Sequence, residues 1–255
     1  MLQYGRSKKY LLWTLEPRFD KHFTSQVSYP LLPNFHVMNL YTGIFTDNYF
    51  FVPRCEKLPA LEKFLNFSNK KIVSLMTYQS GFKWKFFHGG IDLDLCNLRT
   101  KIALEGHHQG VLDIYGRGWS KKVKRGQSRG ENWHEKKLMI LSEYHFHLCF
   151  ENTNWPYYCT EKIWDAIQGG CLPIYYAKGN NIYDEFTKNS FLDYCDFKNT
   201  KSLLDYVQQM EPIEFQERMN LCIQAFNRAV QYKQESKPYQ KLLQKTLQKI
   251  QEIME

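Results

Sequence analysis

Residues 145–177 alternate a short apolar run, a polar stretch, an amphipathic run and a second apolar run. HFHLCFE (145–151) and CLPIYYA (171–177) are typical of buried strands, and EKIWDAIQ between them is typical of a helix that ends at Gly169-Gly170. Two strands joined by one helix in so short a stretch require parallel pairing, because the helix must carry the chain back to the starting edge. The pattern therefore predicts an α/β protein built on a parallel sheet.

Segments upstream continue this alternation. KKIVSLMTY (70–78) and VLDIYG (111–116) are typical of strands, and NLRTKIALEGHHQG (97–110) is typical of a helix. KLPALEKFLNF (57–67) carries apolar residues at intervals close to 3.6, which predicts a short helix. With 255 residues, 43% of them apolar and 24% charged, the chain has an ordinary globular composition and is long enough to bury a core.

The charge balance and the cysteines limit the classes of partner and compartment. Lys and Arg number 34 against 26 Asp and Glu, and the resulting charge of +8 favours a nucleotide, a nucleic acid or a membrane surface. No nucleic-acid-binding motif accompanies the charge, so we expect no nucleic-acid partner. The cysteine count is odd, at seven, without CxxC spacing, which is typical of a reducing compartment. Without a secretory segment or a long apolar run, a cytoplasmic or peripheral membrane location is expected.

The stretch FENTNWPYYCTEK (150–162) lies between the strand and the helix of the central unit. Ligands of open parallel sheets bind outside the carboxyl ends of the strands, which is where this stretch is expected. Thr160 is a suitable N-cap, and the free N–H groups of the helix that follows attract phosphate. Lys162 adds a positive charge in the first helical turn. These residues predict a site for a phosphorylated ligand.

Three further side chains could complete such a site. Glu161 can accept hydrogen bonds from ribose or sugar hydroxyls, Tyr158 offers a hydroxyl or a stacking face, and Asn152 can bind substrate or brace the loop. A structural interpretation fits equally well, with Glu161 complementing the helix dipole, Lys162 solvated and Tyr158 packed. The spacing alone does not choose between the two, and the glycine-rich fingerprint of dinucleotide-binding folds is missing.

FENT (150–153), YCTEK (158–162) and the Pro173-Ile174 pair stand at the spacing of a longer signature. Together they resemble the donor-binding signature of the α1,3/4-fucosyltransferases, glycosyltransferase family 10. The resemblance implies a GT-B-like α/β fold of two Rossmann-like halves and GDP-fucose as the donor. It also implies donor-binding roles for four residues of the stretch: Asn152, Tyr158, Glu161 and Lys162.

Weaker similarity to the same family extends on both sides. NLRTKIALEGHHQGVLDIYGRG (97–118) is similar to a family segment whose arginine binds the donor phosphate, which makes Arg99 that residue. WTLEPRFD (13–20) is similar to the family segment with the catalytic acid, which makes Glu16 the candidate general base, although Pro17 stands where the family has serine. Little chain precedes Glu16, so the amino-terminal half is expected to be truncated.

The resemblance implies an abbreviated acceptor-side domain (1–69), a donor domain (70–225) and a C-terminal amphipathic helix (226–255). The implied reaction is inverting transfer of L-fucose from GDP-fucose to a hydroxyl of an oligosaccharide or glycoconjugate, with an α1,3 linkage to GlcNAc or Glc expected. No cofactor is required, and a divalent metal is not expected to be essential. The alternative is a catalytically impaired homologue that binds nucleotide-sugar and lacks a complete acceptor domain.

Other motifs suggest competing chemistry. Asp92-Leu93-Asp94 is a D-x-D motif, which holds a metal on the nucleotide in other transferases, but the motif is common by chance. His145 and His147 alternate on a strand without an obvious third ligand, which favours a structural role over a metal site. The basic run 121–129 and the amphipathic tail from residue 238 leave contact with a membrane surface open.

Overall fold

The structure is a computed structural model that describes residues 8–19, 27–29, 32–41, 44–53, 55–127, 130–236 and 238–255. Residues 128–129 of the predicted basic run lie outside the described residues. The strands are β1 (Tyr10–Thr14), β2 (Val27–Tyr29), β3 (Leu32–Asn39), β4 (Ile72–Leu75), β5 (Phe87–His88), β6 (Ile91–Asp92), β7 (Leu112–Tyr115), β8 (Lys124–Gly126), β9 (Phe146–Leu148), β10 (Leu172–Tyr175) and β11 (Leu192–Asp193). The helices are α1 (Cys96–His108), α2 (Trp133–Leu141), α3 (Glu161–Gln168), α4 (Thr200–Gln209), α5 (Pro212–Glu235) and α6 (Pro238–Met254).

The larger of the sheets has six strands in the order β11-β10-β9-β4-β7-β8, and every neighbouring pair is parallel. In chain order this is the 3-2-1-4-5-6 arrangement of Rossmann folds, which reverses direction between β4 and β9. The central strands β4, β7, β9 and β10 are buried on both faces, with α1 packed on β7 and α3 and α5 packed on β10. The predicted α/β class and the parallel, Rossmann-like sheet are confirmed, while the donor-binding role of this half stays a prediction.

Helix α3 shows why the central unit folds as its sequence predicts. Its strongly one-sided pattern buries Ile163, Trp164 and Ile167 against the sheet and α5. The helix ends where Gly170 adopts a left-handed φ of 80°, a conformation that costs glycine little. A side chain at Gly169 would place its Cβ only 2.5 Å from the Cβ of Leu141. The Gly169-Gly170 stop is thus required by both backbone and packing.

The segment 57–67 is not a helix, contrary to the prediction, and runs along α5 without regular secondary structure. Its apolar residues recur every three positions, which is the repeat of an extended polyproline-like chain. Amide side chains of α5 accept hydrogen bonds from its backbone N–H groups and donate to its carbonyls at 2.8–3.1 Å. The pairs are Asn227 with Leu58, Asn220 with Leu61, and Gln216 with the N–H of Phe64 and the carbonyl of Glu62. These amides satisfy peptide groups that a helix would have paired internally.

The smaller amino-terminal half contains the sheet β1-β3-β2, in which β1 and β3 are parallel and β2 is antiparallel. Helix α6 returns to this half, because Leu242 is buried in one apolar cluster with Met38, Leu40 and Tyr41. The predicted boundary at residue 226 falls inside α5, which continues unbroken to Glu235. The domain division itself stays a prediction.

Helix α6 faces solvent with the apolar stripe that the sequence predicts. Leu243, Leu247, Ile250 and Met254 are each more than 40% exposed. None of the helices in the described part of the chain combines the length and apolarity needed to cross a bilayer. Contact of this stripe with a membrane surface stays a prediction.

Candidate active site

A cleft opens at the carboxyl ends of β4 and β9, where the strand order of the six-stranded sheet reverses. Its floor is formed by Leu75 and Met76 at the end of β4 and by residues 147–150 at the end of β9. Arg99 of α1, Lys137 of α2 and the first turn of α3 form its walls. Such a reversal leaves a crevice between neighbouring loops, and ligands of Rossmann-like sheets bind there. The cleft is thus where the sequence predicts the ligand.

Glu151 and Lys162 form a buried ion pair at the start of α3. The Glu151 carboxylate is 2% exposed and accepts hydrogen bonds from the Thr160 N–H at 2.7 Å and from Lys162 Nζ at 2.7 Å. Burial raises the pKa of Glu151, although Lys162 opposes the shift. Burial also opposes the charge on Lys162, but the Glu151 and Glu161 carboxylates outweigh it and raise the pKa of the ammonium. Glu151 thus holds a charged Lys162 at the cleft.

Glu161 lies at the centre of a second charged group, which involves a lysine that sequence reasoning missed. Lys137 Nζ is 2.5 Å from Asp165 Oδ2 and 3.7 Å from Glu161 Oε1. Despite partial burial, Lys162 and Lys137 lower the pKa of Glu161 to about 2, so its carboxylate is ionised and can accept hydrogen bonds. The sequence feature that could have predicted such a lysine is Asp165, because an acid on the buried face of α3 requires a cationic partner.

Arg99 is almost completely buried at the wall of the cleft, with 5% of its surface exposed. Its guanidinium donates to the Phe150 carbonyl at 3.2 Å and to Gln79 Oε1 at 2.7 Å. Its Nε finds no partner among the described residues. Arg99 therefore ties the ends of β4 and β9 together and keeps donor capacity beside Lys162.

Asn152 takes part in the contact between the two halves through its backbone. Its carbonyl accepts from Arg18 Nη2 at 2.9 Å and from the Leu95 N–H at 3.1 Å. Arg18 of the amino-terminal half also binds Asp94 Oδ1 at 2.9 Å and Thr153 Oγ1 at 3.0 Å. The sequence analysis missed Arg18, whose signal was its position two residues after Glu16. A donor contact of the Asn152 side chain stays a prediction.

The two acids of the D-x-D motif bind protein groups. Asp94 forms an ion pair with Arg18 and accepts a hydrogen bond from the backbone N–H of Asn97. Asp92 forms an ion pair with Lys85 at 3.0 Å. Within the residues that the structure describes, no three His, Cys, Asp or Glu side chains are grouped as metal ligands would be. The expectation that a divalent metal is not essential stays a prediction.

The two strand histidines have separate surroundings. His145 Nε2 lies 3.1 Å from Ser68 Oγ and its ring contacts Phe64 and Phe67. His147 is buried under the cleft, and burial holds its pKa well below the usual value. The two rings therefore do not form a metal pair.

Tyr158 joins the predicted base to the Rossmann-like half. Its hydroxyl donates to Glu16 Oε2 at 2.6 Å, and its ring is 2% exposed. Glu16 follows the carboxyl end of β1, where Thr14 Oγ1 accepts its N–H at 3.1 Å. Of the predicted site residues, Arg99, Glu161 and Lys162 lie together at the cleft, while Tyr158 and Glu16 meet at the boundary of the two halves.

Comparison with known proteins places this architecture in a family. Residues 95–244 match the family model described as glycosyltransferase family 10 (fucosyltransferase), C-terminal part. Alpha-(1,3)-fucosyltransferase FucT of Helicobacter pylori is 40% identical over 76 residues, which are 30% of this chain and 16% of that protein. Human 3-galactosyl-N-acetylglucosaminide 4-alpha-L-fucosyltransferase FUT3 is 25% identical over 182 residues, which are 62% of this chain and 47% of that protein. The chain thus spans less than half the length of these relatives.

A crystal structure of an alpha1,3-fucosyltransferase with GDP-fucose superposes with a TM-score of 0.43 at 21% identity, covering 60% of this chain and 38% of the other. This similarity is too low to assign roles to individual residues. The family model, in contrast, matches more than half of the chain and includes the cleft residues from Arg99 to Lys162. The chain therefore belongs to glycosyltransferase family 10, the fucosyltransferases.

Proposed function

We propose that this chain transfers L-fucose from GDP-fucose, with inversion, to a hydroxyl of an oligosaccharide or glycoconjugate. The observation that carries the proposal is the cleft at the strand-order reversal, where Lys162, Arg99 and an ionised Glu161 line one crevice. A carboxylate of the other half, Glu16, is hydrogen-bonded to the loop beside that crevice. Family membership supports the sugar and the donor class.

The cationic side chains suit a nucleoside diphosphate. Lys162 is held charged by Glu151 and acts as a point charge, whereas the Arg99 guanidinium can donate several hydrogen bonds in one plane. Both would stabilise the negative charge that develops on the departing diphosphate, aided by the amino terminus of α3. Glu161 would accept hydrogen bonds from ribose or sugar hydroxyls.

In the proposed reaction, Glu16 accepts the proton of the acceptor hydroxyl. The acceptor oxygen forms a bond to the anomeric carbon while the bond from that carbon to the diphosphate breaks. GDP leaves with the electron pair, and the anomeric configuration inverts because the two oxygens occupy opposite faces. We further propose an α1,3 linkage to GlcNAc or Glc, without an essential metal.

The test combines GDP binding with turnover. Calorimetry should detect GDP binding at moderate salt, and GDP-fucose should be consumed with a panel of acceptors that end in GlcNAc or Glc. Glu16→Ala should reduce kcat by about 100-fold or more while GDP binding is retained, because a general base acts in the chemical step. The exposed Glu131 provides a matched control, since Glu131→Ala removes an acid outside the site.

The outcomes separate the candidate functions. GDP binding without turnover of any acceptor would favour the catalytically impaired nucleotide-sugar-binding homologue. A chain that does not bind GDP would contradict both candidates. Turnover that is unchanged in Glu16→Ala would show that another group accepts the proton.

A further inference from the structure

The Tyr158 hydroxyl is committed to Glu16 across the boundary of the two halves. The two residues are 142 positions apart in the sequence, and the hydroxyl oxygen lies 2.6 Å from Glu16 Oε2 in the structure. The buried Tyr158 ring packs edge-on against Tyr41 of the amino-terminal half, at a centroid distance of 4.9 Å. A phenol donates one hydrogen bond, and here the Tyr158 hydroxyl donates it to the carboxylate of the predicted base. A donor-binding role for Tyr158 would require it to give up this contact.

The loop that carries Tyr158 is held in place on both sides. The preceding Tyr157 has a left-handed φ of 60°, which is unfavourable for a bulky side chain and persists only where surrounding contacts impose it. Those contacts include the bond from the Tyr157 N–H to the Asn180 carbonyl at 3.0 Å. Trp155 Nε1 donates to the Tyr41 carbonyl at 3.0 Å. The loop therefore delivers the Tyr158 hydroxyl to one position at the boundary.

The electrostatics make the hydroxyl a donor and not a base. Burial, then Glu151 and Glu16, raise the pKa of Tyr158 well above its usual range, so the phenol keeps its proton. A hydrogen bond donated to a carboxylate favours the ionised form of that carboxylate. Glu151 and Tyr41 also act on the Tyr158 hydroxyl, and Glu151, Cys159 and Glu161 act on the adjacent Tyr41.

We propose that Tyr158 is a positioning residue, which orients from the donor half the Glu16 carboxylate that accepts the acceptor proton. This inference rests on the proposed function, since it concerns the base of that reaction. Its consequence is that Glu16 is aligned only while the loop 154–160 is docked on the amino-terminal half. The two halves thus assemble the base together, and neither holds it alone.

The test compares Tyr158→Phe with Tyr157→Phe, which removes the neighbouring hydroxyl that bonds to Asp184 at 3.3 Å. Tyr158→Phe should lower kcat by about 10-fold, because the base loses the hydrogen bond that orients it, while the KM for GDP-fucose stays within about 2-fold of wild type. GDP affinity should change by less than about 2-fold in either variant.

Different results would overturn the inference. GDP binding weakened about 10-fold in Tyr158→Phe would make Tyr158 a direct donor contact instead. The carboxyl carbon NMR signal of Glu16, identified by its loss in Glu16→Gln, reports the hydrogen bond from Tyr158 without turnover. If wild type neither bound GDP nor transferred sugar, the proposed function would fail, and this signal would still decide the role of Tyr158. A Glu16 carboxyl signal that is unchanged between wild type and Tyr158→Phe would refute the inference.

Discussion

Replacing Lys162 by methionine separates the structural and the ligand-binding contributions of one charge. In the wild type, Lys162 Nζ lies 2.7 Å from a Glu151 carboxylate that is 2% exposed. Methionine keeps the length of the side chain and removes the charge. The substitution leaves Glu151 buried without its cation, and it also removes the point charge that we expect to face the donor diphosphate.

The size of the effect follows from the geometry. Removing one partner of a fully buried ion pair costs about 3–5 kcal/mol of unfolding free energy. The Lys162 side chain is 21% exposed, so solvent screens part of the interaction and we expect about 2–4 kcal/mol. Adding Glu151→Gln to Lys162→Met removes the orphaned charge and should recover most of this loss. GDP binding should be about 10–100-fold weaker in both the single and the double variant.

The destabilisation of Lys162→Met should depend on pH. Burial already raises the pKa of Glu151 above its ordinary value of 4.5, and loss of the ammonium raises it further. A carboxyl whose pKa is higher in the folded than in the unfolded state destabilises the fold above the unfolded value, and this loss vanishes as the pH falls below it. The difference from wild type should therefore be smaller at pH 5 than at pH 7.

The assay is equilibrium unfolding in urea, followed by tryptophan fluorescence at both pH values, together with GDP calorimetry at pH 7. Lys201→Met is the matched control, because Lys201 is 74% exposed and pairs with Asp205 only on the surface of α4. It should change stability by less than about 1 kcal/mol. A Lys162→Met penalty that is equal at both pH values, or is not relieved by Glu151→Gln, would refute the reasoning.

Two further predictions concern other parts of the fold. Asn227→Ala should destabilise the protein by about 1–3 kcal/mol in urea unfolding, because the backbone N–H and carbonyl of Leu58 both lose their hydrogen bonds. The control Gln224→Ala, on the exposed face of α5, should have little effect. Equal losses in the two variants would contradict the role of the α5 amides in holding segment 57–67. Burial raises the pKa of Glu185, which accepts the Asn48 N–H, from 4.5 to about 7, so wild-type stability should fall as the pH rises from 5 to 8. In Glu185→Gln, the decrease in unfolding free energy between pH 5 and pH 8 should be smaller by about 1–3 kcal/mol. An unchanged pH dependence would show that other groups cause the decrease.

The apolar pattern predicted the central unit correctly, because its continuous apolar strand runs and its amphipathic helical run occupy separate, consecutive segments. Two short, mostly apolar runs and a helix that ends at two glycines have few alternatives to a strand–helix–strand unit. Segment 57–67 was predicted wrongly, because a three-residue apolar repeat and a helical period are nearly indistinguishable over eleven residues. Amides of α5, more than 150 positions away, decided the conformation by binding its peptide groups.

The stretch 150–162 predicted which charged and polar side chains lie at the cleft, but it did not predict which of them pair with one another. The order of residues shows Glu151 and Lys162 eleven positions apart and gives no indication that Thr160 and Lys162 both turn back onto the buried carboxylate. Lys137 and Arg18 were missed because their partners, Asp165 and Asp94, lie on other elements. Glu16 was identified by its motif, while its contact with Tyr158 depends on how the halves pack.

The sequence by itself determined the alternation of strands and helices, the parallel sheet, and the kinds of side chain at the start of α3, because these depend on periodicity and capping within a few residues of one another. Only the tertiary structure decided the partner of each charge, the path of segment 57–67 and the meeting of Tyr158 with Glu16. The physical reason is that a buried polar or charged group is stable only with a partner, and packing can supply that partner from anywhere in the chain.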